Sequence, residues 1–163
     1  MKKIVLAVLA GTIAMPALAA PGDTATTQGT ATAQIVAPIT ITHNAGAALS
    51  FGTITAGNGG LVRVDSAGAG TVSGEVTLVA GVATSSDAFT VTGDANRSFS
   101  ITTGNGTVSA GANSMAFTTT AATSGTLNGS GTTSFRVGGT LTVASNQAAG
   151  SYTGSYNATV TYN

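Results

Sequence analysis

The segment Gly150-Ser-Tyr-Thr-Gly-Ser-Tyr-Asn-Ala-Thr-Val-Thr-Tyr-Asn163 decides the fold class. Tyr152, Gly154, Tyr156, Ala158, Val160 and Tyr162 fall on one parity, and Ser, Thr and Asn fill the other. Side chains alternate across a strand, so this pattern gives one apolar face and one polar face. A helix would scatter the tyrosines around its circumference, so the period favours a strand. The pattern predicts one continuous strand, paired in a hairpin with the alternating run Phe135–Val143 across Asn146–Gly150. Its other flank needs a second neighbour.

Working back from that end, the same grammar recurs. Short alternating runs at Leu49–Ile54, Leu61–Val64, Val72–Leu78, Phe89–Val91, Phe99–Ile101 and Met115–Phe117 are separated by turns rich in Gly and Asn. Val72, Gly74, Val76 and Leu78 read as one face of a single strand, and the Asn105-Gly106 step reads as a hairpin turn. The inward glycines Gly139 and Gly154 mark bulges or leave room for a neighbouring aromatic ring. Outside the first residues no stretch keeps helical spacing. The expected fold is therefore all-β, an antiparallel β-sandwich.

The beginning of the chain has a different character. Met1-Lys2-Lys3, an apolar run to Met15 and Ala17-Leu-Ala19 read as a secretory signal peptide over residues 1–19. Residues 20–29 form a small, polar extension, and residues 30–163 a single domain. Alternation begins at Thr30, with Ala31, Ala33 and Ile35 on one parity, and breaks at Ala37-Pro38. Thr30–Val36 is thus either the domain's own first strand or part of the extension.

Composition excludes several classes of function. After Lys3 there is no lysine, and three arginines face five acidic side chains, a balance of −2 with His43 neutral. So sparse a charge disfavours nucleic acid and anionic membranes as partners. There is no cysteine for a nucleophile, a thiolate ligand or a disulfide. His43 reads as a solvated turn residue and Asp87 and Asp94 as lone turn aspartates, so no catalytic, metal or cofactor site is expected. The sequons at Asn96, Asn105, Asn128 and Asn157 match no more often than chance allows in such a composition.

Lack of charge also bears on assembly. β-Proteins guard their edge strands with lysine, proline or inward charge, yet Ser98–Phe135 carries no charge at all. Unguarded edges suit a chain whose edge is occupied by another through strand addition.

Leu49-Ser-Phe-Gly52, Phe89-Thr-Val-Thr-Gly93, Phe135-Arg-Val-Gly-Gly-Thr-Leu141, Gly150-Ser-Tyr-Thr-Gly-Ser-Tyr156 and Thr159-Val-Thr-Tyr-Asn163 together resemble a family of small secreted Gram-negative proteins of uncharacterised function. That family in turn looks like the pilin subunits of chaperone–usher fimbriae, including the common-pilus type. The resemblance implies an immunoglobulin-like sandwich that lacks its last strand and is completed by a donor strand. It implies a periplasmic chaperone, an outer-membrane usher and copies of the chain or related subunits as partners, and a place on the cell surface. Tyr152, Tyr156, Val160 and Tyr162 would border the groove, and Ala31, Ala33 and Ile35 would fill it. The cysteine pair of many such subunits is missing, and an alanine-rich donor face buries little area. The alternative reading is a self-contained secreted β-sandwich that binds or coats through its Thr-, Ser- and Asn-rich loops.

Overall fold

The computed structural model describes Gly22 and residues 24–163. The signal-peptide reading of residues 1–19 lies outside the described residues. Thr24–Ile39 contains no strand, and among the described residues the ladder structure begins at Thr40. Thr30–Val36 is therefore not a first strand of the domain.

The strands, in chain order, are β1 (Thr40–His43), β2 (Ser50–Phe51), β3 (Ile54–Thr55), β4 (Gly60–Val64) and β5 (Gly70–Gly74). They continue with β6 (Thr77–Leu78), β7 (Thr84–Ser85), β8 (Asp87–Thr92), β9 (Ser98–Thr103) and β10 (Gly106–Ala110). The last are β11 (Asn113–Thr120), β12 (Ser124–Thr126), β13 (Thr132–Val143), β14 (Thr153–Ser155) and β15 (Ala158–Tyr162). Every pairing is antiparallel, and the fold is an all-β sandwich. The large sheet runs β1-β8-β13-β11-β10-β14, with β4 and β5 added beside β13; the facing sheet is β12-β9-β15. Two short pairs, β2-β7 and β3-β6, complete it.

β13 is the spine. Its first half pairs with β8, Phe135 opposite Phe89, and its second half with β4, Leu141 opposite Val62. β11 joins it at Phe117–Thr120. Alternation sends Phe135, Val137, Leu141 and Val143 into the core and leaves Ser134, Arg136 and Thr142 exposed. The inward glycine Gly139 makes room, as a Cβ there would lie 3.0 Å from Leu49 and 3.5 Å from the Phe51 ring.

The core has two parts. One gathers Phe51, Val62, Val64, Val76, Met115, Phe117, Leu141 and Val143. The other gathers Val91, Phe99, Ile101, Leu127, Phe135 and Val137. Tyr156 packs against both, with its ring edge-on to Phe89 at 6.3 Å and to Phe117 at 6.1 Å. Among the described residues every buried side-chain polar atom has a hydrogen-bond partner.

Four local expectations change. The C-terminal segment is not one strand: its ladder breaks at Tyr156-Asn157, and β14 and β15 belong to different sheets. Nor does it form a hairpin with β13, because β14 pairs with β10 and β15 with β9. The run Val72–Leu78 breaks at Gly74, whose φ of +76° ends β5; Val76 is buried while Val72 and Leu78 on the same parity are 39% exposed. Asn105-Gly106 turns no hairpin. β9 pairs with β12 and β15 but β10 with β11 and β14, so the chain changes sheets there. The tight hairpin is at Gly111-Ala112, where Gly111 supplies the positive φ (+61°) such turns need.

Candidate functional site: the open edge of the C-terminal strand

Each half of the C-terminal segment has one paired side. β14 ends the large sheet and β15 ends the facing sheet, so the outer side of both is free of ladder partners among the described residues. β1 ends the large sheet at its opposite margin. The inward residues along this edge are incompletely covered. Tyr152, Tyr156, Ala158, Val160 and Tyr162 are all only half-buried, whereas Phe99 and Ile101 on the neighbouring β9 are buried. Ile39 and Ile41, on and just before β1, are likewise half-buried against the second core.

Beside β14 the edge opens into a groove of about 840 Å³. Leu49–Ala56 form one wall and Gln147–Gly154 the other, over a floor that includes Val108, Met115, Leu141 and Val143. Among the described residues no charged side chain lines it. Tyr152 shapes the second wall, its hydroxyl donating to Ala148 O at 2.7 Å and accepting from Gln147 Nε2 at 2.8 Å. These bonds close the turn that delivers the chain to β14.

The other three residues expected to border a groove lie further along. Val160 pairs opposite Ile101 and packs on the second core. Tyr162 uses its hydroxyl inside the fold, accepting from Asp94 N at 2.6 Å and donating to Ala37 O at 3.0 Å, while Arg97 lies 5.3 Å over its ring. Gly93 makes this possible, because a Cβ there would collide with the Tyr162 hydroxyl. Gly93→Ala is therefore expected to displace that hydroxyl and cost about 1–3 kcal/mol, measured by urea denaturation. Gly93→Ala combined with Tyr162→Phe should cost less than the two single changes added together.

Tyr156 leads to a cluster that the sequence reading misassigned. Asp87 is not a solvated turn residue; it is the first residue of β8 and only 5% exposed. His43 is the last residue of β1, not a loop residue. Asp87 Oδ1 lies 2.7 Å from His43 Nε2 and also accepts from Ala88 N, and Oδ2 accepts from the Tyr156 hydroxyl at 2.8 Å. With Nε2 protonated, His43 donates to the carboxylate. Burial pushes the Tyr156 phenol well above its ordinary range, and the Asp87 carboxylate beside it adds to the effect. The signal was present in the sequence: Asp87 shares the inward parity of Phe89 and Val91, and His43 that of Ile39 and Ile41. Arg97 Nε lies 3.4 Å from the half-exposed Asp94, an i,i+3 pair across a surface turn. Among the described residues no group of three or more His, Asp or Glu side chains converges as a metal site.

Of the three residues expected to fill a groove, Ile35 is 98% exposed, and Ala31 and Ala33 lie in a stretch without a strand.

No curated protein and no solved structure matches the chain. One family model does, over residues 39–162, which takes in every strand from β1 to β15 and leaves the N-terminal stretch outside. The chain belongs to that family, described as a domain of unknown function, DUF4402.

Proposed function

We propose that the protein is a structural subunit of a surface fimbria, joined to its neighbours by strand addition at the C-terminal edge. The carrying observation is the free outer side of β14 beside an uncharged apolar groove. An extended peptide laid there would satisfy the edge with main-chain hydrogen bonds and place alternate side chains over the groove floor. Thr24–Val36 has the right character for the donor. It carries no charge, forms no strand of its own, and alternates at Ala31, Ala33 and Ile35.

On this reading the chain is exported through the periplasm, held there by a chaperone that lends a strand to the same edge, and passed to an outer-membrane usher. The donor of the next subunit then replaces the chaperone. Deleting Ala20–Val36 is expected to leave a subunit that still binds a chaperone but builds no filaments, as seen by electron microscopy of the cell surface. Filaments like those of the wild type would overturn the reading.

A second reading has its own support. The two cores are assembled without a partner and leave no buried side-chain polar atom unpaired among the described residues, as in a self-contained secreted binding or coat module. A mature protein that is a soluble monomer, unfolds cooperatively and never polymerises would favour it.

A further inference from the structure

The free edge is not uniform. Beside β14 it opens into the groove, but beside β15 it faces β1. Cα atoms of β1 and β15 come within 8 Å of each other without forming a ladder. A strand seated between two others needs two ladder steps, about 9.6 Å. The β15 half is thus too narrow to admit a strand as it stands.

Side chains bridge this half near its two ends. At one, Tyr162 donates to Ala37 O, three residues before β1. At the other, Tyr156 donates to Asp87 Oδ2 while Oδ1 holds His43, the last residue of β1. Both tyrosines belong to the C-terminal segment, and both bridges lead to the chain at the ends of β1.

We propose that these bridges form a two-point latch that holds β1 to β15 and confines strand addition to the β14 half until they release. The occupant is the Thr24–Val36 segment of a second copy of the chain, whose lack of charge matches the uncharged groove. It docks first beside β14, then extends along β15 as Tyr156 and Tyr162 let go. The identity of the occupant rests on the strand-addition reading; the latch itself does not.

The test is amide hydrogen exchange on the mature protein and on its Tyr156→Phe, Tyr162→Phe double variant, each with and without excess synthetic peptide of the sequence Thr24–Val36. Without peptide, the variant should exchange its β1 and β15 amides roughly thirtyfold faster than the wild type, the combined effect of losing the two bridging hydrogen bonds. That faster exchange should depend on urea less steeply than exchange at β4, because a local opening exposes less surface than global unfolding. With peptide, new protection in the wild type should stop at Thr153–Ser155, and in the variant it should continue through Ala158–Tyr162.

Unchanged β1 and β15 exchange in the variant overturns the latch. So does β1 and β15 exchange as steeply urea-dependent as that of β4, which would mean a general loosening of the fold. New protection of Ala158–Tyr162 by the peptide in the wild type also overturns it. If β1 and β15 open in the variant as expected but peptide protects neither protein, the latch stands and the strand-addition reading fails.

Discussion

Phe99→Ala is expected to lower the stability of the domain by about 3–5 kcal/mol, read as a fall in the urea midpoint at unchanged slope. Phe99 is fully buried on β9, between β12 and β15. Its ring lies against Gly125 on the neighbouring strand, where a Cβ would sit 2.7 Å from Cζ. A glycine has no side chain with which to refill the space, so removing the ring leaves a cavity. Small domains hold about 5–15 kcal/mol in all, and this chain has no disulfide to make up the loss. Phe89→Ala is the matched comparison. Phe89 stacks on Phe135 at 5.4 Å but is only half-buried, so water can enter its place and the cost should be smaller. Equal losses for the two would contradict the assignment of Phe99 to a closed core.

The sequence made the faces legible and left the neighbours hidden, for a physical reason. Alternation reports which way a side chain points, and Tyr152, Tyr156, Ala158, Val160 and Tyr162 do keep one inward parity, with Gly154 between them exposed. The same parity runs unbroken through Tyr156-Asn157, where the hydrogen-bond partner changes from β10 to β9. Periodicity carries no mark of such a change of sheet. Asn105-Gly106 failed for a related reason. The dipeptide favours a tight turn, but here Gly106 lies under the Phe117 ring with no space for a Cβ, and Asn105 Oδ1 accepts from Thr119 N at 3.3 Å. Tertiary packing, not hairpin propensity, fixes that glycine.

The candidate site divides in the same way. The groove is built from runs the sequence exposed, Leu49–Ile54 and the turn before Tyr152. The His43–Asp87–Tyr156 cluster joins residues 44 and 69 positions apart, and pairing at that range cannot be read from one sequence. What could be read was an acidic residue on an inward face. An inward carboxylate in so apolar a strand needs partners, because a buried charge without them is costly.

Tyr156 is where both cores, the sheet change and the buried carboxylate meet, so its replacement separates these contributions. Tyr156→Ala is expected to cost about 3–5 kcal/mol, since it removes a ring that packs edge-on against Phe89 and Phe117. Tyr156→Phe keeps the ring and takes away one donor to Asp87, so about 1–3 kcal/mol should be lost. A cycle with Asp87→Asn isolates the bond: the two single losses should exceed the loss in the double variant. The phenol also sets a pH dependence. Its proton is held more tightly in the folded state than in the unfolded chain, where a tyrosine releases it near pH 10. The contribution is therefore complete below about pH 10 and is lost as pH rises above it, because the unfolded state ionises first. Tyr156→Phe has no such proton to release. Urea titrations between pH 8 and pH 11 should show the wild type losing stability more steeply than the variant, and parallel curves would refute a buried, carboxylate-bonded phenol at this position.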